Sequence, residues 1–122
     1  MPGPVEPRSD TDRSDADAAP LEIAVLTCTF DARPGAEEAL LGALSRYVVL
    51  TRHEPACRNV DLVASVTVAG RFLVIEKWET PEAVQAHLDS PLMTEMARAA
   101  MQAVAAKPTV DLYEAISAYD LE

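Results

Sequence analysis

The chain has 122 residues, which is enough for one domain that buries its own hydrophobic core. Its 20 acidic and 10 basic residues give a formal net charge of -10 at pH 7. The basic residues form no stripe that would bind a phosphate backbone, so nucleic acid is not an expected partner. No apolar run approaches the roughly 20 residues that a membrane-spanning helix needs, so no membrane contact is expected either.

The first twenty residues differ in composition from the rest. Residues 1–20 hold four prolines among Asp, Arg and Ser, and Val5 is their only large aliphatic side chain after Met1. Such a segment cannot bury enough apolar surface to offset its ordering entropy, which predicts a disordered tail. It lacks the apolar core of a secretory signal and is too acidic for a transit peptide. We therefore expect a cytoplasmic protein whose folded domain spans residues 21–119.

The folded part begins with a strand and a helix. Residues 21–30 are apolar or β-favouring on both alternating sets, which predicts an extended strand with two covered faces. The sequence ARPG then predicts a turn, with Pro34 suited to a first helical position. From Glu37 to about His53, apolar residues recur at spacings of three and four residues, as in an amphipathic helix. Glu54 precedes a proline, and this pair predicts the helix end.

A hairpin, two helices and a last strand follow. Residues 57–68 alternate in polarity and predict a strand, which a two-residue turn at Ala69-Gly70 connects to a strand over 71–79. A hydroxyl residue followed by proline predicts helix starts at positions 80–81 and 90–91, with helices over 81–89 and about 91–106. Alternation over 109–119 predicts the closing strand. The inner face of the second of these helices is predicted to be Met93, Ala97, Ala100, Met101 and Val104.

The order β-α-β-β-α(α)-β predicts an α+β, ferredoxin-like arrangement with an antiparallel sheet and helices on one side. The exposed face of such a sheet is normally polar. The strands at 21–30 and 71–79 are nevertheless apolar on both faces. Because most soluble oligomers are symmetric, we expect a homodimer in which two sheets pack face to face.

The only tryptophan and one of the two histidines lie near each other in this arrangement. Strand alternation puts Glu76 and Trp78 on the helix-facing side, and His87 shares the apolar stripe of the helix over 81–89. Met93 and Met96 would close the gap between sheet and helices. The pair could be a core histidine packed on a core tryptophan. The alternative is a ligand pocket in which His87 exchanges protons, although the pattern alone favours the packed pair.

Several further side chains are candidates for such a pocket. Phe30 on the first strand and Asn59 near the start of the second could contact a substrate, although turn chemistry explains Asn59 equally well. Tyr113 and Tyr47 could reach the pocket or pack in the core with a wet hydroxyl. Neither the histidines nor the two cysteines have the spacing of a metal site or a redox pair, and no glycine motif would cradle a phosphate. We expect no metal and no cofactor.

The segment FLVIEKWETPEAVQAHLDSPLM (72–93) resembles the signature of the antibiotic biosynthesis monooxygenase family, which includes quinol monooxygenases. RPGAEEALLGAL (33–44) and TRHEPAC (51–57) also resemble segments of that family, with Ala56 where the family has glycine. The resemblance covers about residues 21–116 and implies a dimeric α+β barrel. The matching positions of the signature are Glu76, Trp78, Ala86, His87, Leu88, Ser90, Pro91 and Met93.

The resemblance implies a small aromatic substrate, a quinol or hydroxylated polycycle, oxidised by O2 without metal or flavin. His87 would be the general base, and Trp78 would wall the pocket with its indole N–H as a possible donor. A haem-degrading relative has asparagine at or beside the position of Cys28, and its absence here argues against haem degradation. Two alternatives stay open. One is a non-catalytic binding or accessory module, and the other is a structural dimer in which Trp78 packs against His87 without room for a ligand.

Overall fold

A computed structural model describes residues 22–117, so the predicted tail over residues 1–20 and both ends of the predicted domain lie outside the described range. Four antiparallel strands form one sheet in the order β2-β3-β1-β4, and three helices complete the ferredoxin-like α+β fold that the sequence predicts. The elements are β1 (Ala24–Asp31), α1 (Glu37–Thr51), β2 (Cys57–Ala64), β3 (Arg71–Trp78), α2 (Pro81–Leu88), α3 (Pro91–Met101) and β4 (Thr109–Glu114).

The two central strands, β1 and β3, present every second side chain to the helices. Their register pairs Cys28 with Val74 and Leu26 with Glu76, and all four of these side chains are buried. The alternate residues on the opposite face are only half-buried, because no helix covers that face. The sheet therefore has one core side and one open side, and the functional side chains discussed below are on the core side.

Two of the helices begin at the positions that the sequence predicts. The Thr80 hydroxyl accepts a hydrogen bond from the backbone N–H of Ala83 at 3.1 Å, and the Ser90 hydroxyl accepts one from Met93 at 3.2 Å. Each cap satisfies a backbone donor that has no partner within the helix and contributes about 1 kcal/mol. The caps fix where α2 and α3 start, and so fix which face each turns to the sheet.

The connection between β2 and β3 differs from the prediction. β2 ends at Ala64 rather than 68, and a six-residue loop replaces the two-residue turn expected at Ala69-Gly70. The Ser65 hydroxyl accepts hydrogen bonds from the backbone N–H groups of Thr67 and Val68 at 3.2 and 2.9 Å. These bonds turn the chain before the end of the alternating sequence pattern. Val66 is 98% exposed, so its apolar side chain does not mark a strand.

The end of α3 also differs from the prediction. α3 ends at Met101 rather than about 106, because the following backbone pairs with the end of β1 instead: Ala105 donates to the Asp31 carbonyl at 2.7 Å. The predicted inner face is partly wrong, since Met101 is 58% exposed and Ala97 is exposed as well. The residues of this region that are buried are Met96, Ala100, Ala103 and Val104.

The edge strand β4 is the least covered part of the sheet. It pairs with β1, while the helices contact β1, β2 and β3. Val110 and Leu112 face the helix side yet remain 54% and 56% exposed. The uncovered space between β4 and α3 is the opening of a cavity. No helix within residues 22–117 combines the length and apolar character of a membrane span.

Candidate active site

A cluster of polar and aromatic side chains lies inside the core between β3, α1 and α2. β3 contributes Glu76 and Trp78, α1 contributes Tyr47, α2 contributes His87, and Glu54 follows the end of α1. Tyr47, Glu76, Trp78 and His87 are each at most 1% exposed, whereas the Glu54 side chain is 31% exposed. We call these five residues the buried network.

Hydrogen bonds connect the buried network from end to end. The Tyr47 hydroxyl donates to Glu76 Oε2 at 2.5 Å, and the Trp78 indole N–H donates to Glu76 Oε1 at 2.9 Å. Each oxygen of the buried carboxylate thus has its own donor, which compensates the loss of water. The indole N–H that sequence reasoning offers to a substrate oxygen is occupied by Glu76.

Both ring nitrogens of His87 have partners. Nε2 is 2.5 Å from the Tyr47 hydroxyl oxygen and 3.5 Å from Glu76 Oε1, and Nδ1 is 3.0 Å from Glu54 Oε2. The indole ring of Trp78 covers one face of the imidazole with a centroid distance of 4.4 Å. His87 is therefore held between two carboxylates and the Tyr47 hydroxyl, so both of its ring nitrogens are in hydrogen-bonding positions.

One proton can occupy two positions along this chain of groups. With Glu76 ionised, Tyr47 donates to Glu76 and the His87 Nε2–H donates to the Tyr47 oxygen. With Glu76 protonated, Glu76 donates to Tyr47 and the Tyr47 hydroxyl donates to a neutral Nε2. Every group keeps a partner in both arrangements. The geometry suits transfer of a proton between His87 and Glu76 through Tyr47.

Burial sets the electrostatics of these groups. It raises the pKa of Glu76, while hydrogen bonds from Tyr47 and Trp78 and the charge of His87 lower it in part. Burial also raises the pKa of Tyr47, and the neighbouring Glu76 carboxylate raises it further. Tyr47 consequently remains a phenol and passes protons rather than becoming a phenolate.

An apolar cavity of about 390 Å³ lies beside the buried network, between α3, β1 and β4. Its size is in the range that binds small organic molecules. Its walls consist of carbon and sulfur atoms except at Lys107. We call it the apolar cavity, and it is lined by Cys28, Phe30, Leu88, Met93, Met96, Ala97, Ala100, Met101, Lys107, Pro108 and Val110.

Cys28 is a cavity-lining residue that the charge of the buried network reaches. It lines the cavity and is 3% exposed, and it is near enough to Glu76 for that carboxylate to influence it. Burial, followed by the charges of Glu76 and Asp111, raises the pKa of the Cys28 thiol to about 12. The thiol is therefore neutral at physiological pH and contributes a small, weakly polar wall rather than a nucleophile.

The structure divides the predicted site residues into three groups. Phe30, Met93 and Met96 line the apolar cavity. The predicted catalytic pair and Glu76 belong to the buried network and do not line the cavity, although Leu88, the neighbour of His87, does. The gap directly between Trp78 and His87 is filled by their own contact, so the space for a ligand lies beside the pair.

Asn59 and Tyr113 lie in neither the buried network nor the lining of the apolar cavity. Asn59 is exposed on the open face of the sheet, where its side-chain amide donates to Asp61 at 3.0 Å. Tyr113 is 53% exposed and pairs with Val25 on that same face. Their substrate contacts remain predictions that the position of the cavity within one chain does not support.

Three residues have larger roles than the sequence predicts. The sequence predicts that Tyr47 reaches the pocket or packs in the core with a wet hydroxyl, but its hydroxyl is buried and central to the network. Glu54 is predicted only as a helix end, and Lys107 has no predicted role in the pocket. The sequence feature that points to the role of Tyr47 is its hydroxyl on the apolar face of α1, because the facing strand β3 carries an acidic residue on its buried face.

Within residues 22–117, no group of three or more His, Cys, Asp or Glu side chains is arranged to hold a metal ion. The acidic and imidazole groups of the buried network are instead satisfied by one another and by Tyr47 and Trp78. These five residues thus form a closed hydrogen-bonded network rather than an open set of ligands.

Comparison with known proteins identifies the family to which the chain belongs. The sequence profile described as "Antibiotic biosynthesis monooxygenase" matches residues 23–99, more than half of the chain, including the whole buried network. Curated protein sequences give no match.

Solved structures share the fold at low sequence identity. A crystal structure named antibiotic biosynthesis monooxygenase is 25% identical with a TM-score of 0.70, covering 76% of this chain and 98% of that one. Rv0793 from Mycobacterium tuberculosis is 22% identical with a TM-score of 0.74, covering 80% and 99%. Protein SO0527 from Shewanella oneidensis is 23% identical with a TM-score of 0.73, covering 78% and 92%.

Proposed function

Because the chain belongs to the antibiotic biosynthesis monooxygenase family, we propose that it oxidises an electron-rich hydroxylated aromatic with O2, without metal or flavin. The observation that carries this proposal is the apolar cavity of about 390 Å³ beside a buried histidine held between two carboxylates. An aromatic ring system fits the cavity's carbon and sulfur walls, and the buried network supplies a proton acceptor close by.

The proposed reaction balances without an external reductant. A quinol and O2 give a hydroxyquinone and water: one oxygen atom forms a new C–O bond on the ring, and the other leaves as water with two hydrogens of the quinol. All four electrons that O2 takes up come from the substrate. The protein needs to generate the electron-rich phenolate and keep water away from it.

His87 is the proposed base for this step. Its position supports this role because Nδ1 lies 3.0 Å from Glu54 and Nε2 contacts the Tyr47 hydroxyl, which can pass a proton on to Glu76. The substrate hydroxyl reaches the ring in this proposal by displacing Leu88 and Met93, which line the cavity next to it. Methionine suits this role since its flexible side chain repacks readily.

One observation favours a second candidate, a binding or accessory module without catalysis. None of the five residues of the buried network lines the apolar cavity. A ligand could therefore occupy the cavity while the network stays closed and serves the stability of the core alone.

We also propose that the protein is a homodimer that covers the open face of the sheet. Val25, Thr27, Leu73 and Ile75 on this face are half-buried in one chain, and the nearby Val63 is 43% exposed. Removing such a face from water contributes about 25 cal/mol per Å² before the costs of association. Sedimentation velocity tests this directly, and a monomer at all concentrations would contradict it.

Oxygen uptake by metal-free protein with a panel of reduced quinones and anthrones tests the proposed activity. We expect uptake above the autoxidation of the substrate, and a loss of about 10²- to 10⁴-fold in His87→Ala because the base is removed. His53→Ala is the matched control, since His53 is the chain's other histidine and is exposed. Circular dichroism checks that both variants fold, and His87→Gln provides a substitution closer in volume.

Two outcomes would contradict parts of the proposal. Full turnover by folded His87→Ala would remove His87 as the base while leaving the oxygenase activity in place. No uptake with any substrate, together with tight binding of an aromatic ligand, would select the binding module instead.

A further inference from the structure

We propose that Lys107 makes the apolar cavity selective for aromatic molecules that carry an anionic group, such as a carboxylate, at the end that faces the opening. The inference that the enzyme's substrates carry an anionic group rests on the proposed function. The inference that the cavity binds anionic aromatics rests only on the residues that line the cavity.

Among residues 22–117, Lys107 is the only one that lines the cavity with a charged side chain. It follows the end of α3 and precedes β4, and its neighbours Pro108 and Val110 form wall on the same side. Its side chain is exposed, so it stands where the cavity meets solvent. A lysine in this position lays its carbon stem along the apolar wall and keeps its ammonium group at the opening.

The ammonium group of Lys107 is available to a ligand. Within residues 22–117 its side chain forms no ion pair and no hydrogen bond, in contrast to Arg71, whose guanidinium holds Asp31 at 2.7 Å. An anion placed at the opening would therefore not need to displace an existing partner. The ring system of the same molecule would bury itself against the methionines and Phe30.

The overall charge of the chain does not oppose this local attraction. The formal net charge is -10, but charges beyond about 8 Å are largely screened at physiological ionic strength. A ligand anion at the opening is attracted by Lys107, while the carboxylates of Glu76 and Asp111, whose charges reach the cavity-lining Cys28, oppose its deeper entry. A neutral aromatic of the same shape would gain the apolar contacts and lose the charge contact, which gives the cavity its selectivity.

A pair of fluorescent probes tests this inference without any catalysis. Anilinonaphthalene sulfonate carries a permanent anion, and N-phenylnaphthylamine has the same aromatic skeleton without it. We expect Lys107→Gln to weaken sulfonate binding roughly 1.5-fold to 5-fold, the range of an exposed ion pair, and to leave the neutral probe unchanged. Added salt should weaken sulfonate binding to the wild-type chain and have little effect on the variant.

Two controls locate the effect. Arg98→Gln removes the same charge from an exposed position of α3 that does not line the cavity, and should change neither probe. Ala97→Trp fills the cavity from an exposed position in its lining, and should weaken both probes.

Equal binding of the sulfonate to wild-type protein and Lys107→Gln would overturn the inference, as would equal weakening of both probes or binding that Ala97→Trp does not affect. These readouts do not depend on oxygen uptake. A failure of the proposed oxygenase activity would therefore leave the selectivity of the cavity standing, and a failure of the selectivity would leave the oxygenase proposal standing.

Discussion

The buried network and the apolar cavity lie side by side on the core face of one sheet, and they differ in nearly every physical property. The network has titratable groups but no free volume, because each group is in contact with another. The cavity has volume but no titratable group within it except the neutral Cys28 thiol and Lys107 at its opening. The proposed oxidation requires that the two be connected, and the cavity-lining residues related to the network are Leu88, which follows His87 in the chain, and Cys28, which the charge of Glu76 influences.

The largest difference that we expect between the two regions is in stability. Trp78 is 1% exposed and donates to Glu76, so Trp78→Ala should leave a void and an unmatched carboxylate oxygen and lower the free energy of unfolding by about 3–5 kcal/mol. Met101→Ala, in the cavity wall and 58% exposed, should change it by no more than about 0.5 kcal/mol. Urea unfolding measures both, and similar losses would mean that the regions are equally important to the fold.

A smaller effect separates packing from hydrogen bonding within the network. Tyr47→Phe keeps the ring but removes the hydroxyl that donates to Glu76, so we expect a loss of about 1–3 kcal/mol in the free energy of unfolding. Binding of the neutral probe in the apolar cavity should not change, since Tyr47 does not line it. A variant as stable as the wild type would show that the hydroxyl is not needed to satisfy the carboxylate.

The smallest expected effect is a change in pH dependence on replacing Glu76. Burial raises the pKa of Glu76 in the folded chain above its unfolded value of about 4.3, so ionisation of this group opposes folding. Its contribution to stability is therefore most favourable below that value and is lost as pH rises through the folded pKa.

Glu76→Gln retains an acceptor for Trp78 and gains a donor for Tyr47, but has no proton to lose. The difference in unfolding free energy between variant and wild type should shift in favour of the variant as pH rises from about 4 through the folded pKa. Urea unfolding at a series of pH values checks this. A difference that does not change with pH, or that changes in the opposite direction, would contradict the direction given for Glu76. Asp31, whose pKa the hydrogen-bonded Arg71 lowers, affects both proteins equally.

Much of the fold follows from local patterns in the sequence. The β-favouring residues of β1 and β3 identify both strands, and the strand period of two sets which side chains share a face, one set being buried and the other mostly half-buried. Thr80 and Ser90 mark the helix starts because a hydroxyl residue favours the N-cap position and the proline after it favours the first helical position. Both patterns involve contacts between residues a few positions apart, which is why they can be read directly.

The errors arise where tertiary contacts override local preference. Apolar Val66 extends the strand pattern, but the Ser65 hydroxyl closes a loop there. Residues after Met101 have helical preference, yet their backbone pairs with the end of β1. The relation between network and cavity was unpredictable for the same reason: whether His87 contacts Tyr47 or an open space depends on how α1, α2 and β3 meet, and no spacing in the sequence encodes that distance.

The central position of β1 bears on how the chain assembles. Its partner in β3 is already distant, since Arg71 lies 40 residues beyond Asp31, and its partner in β4 is farther still. Pairing β4 with β1 therefore closes the longest loop between strands of this sheet and has the largest loop-closure entropy. Every residue of the buried network precedes α3, whereas Lys107, Pro108 and Val110 of the cavity wall follow it. During synthesis, the residues of the buried network therefore leave the ribosome before the part of the cavity wall that follows α3.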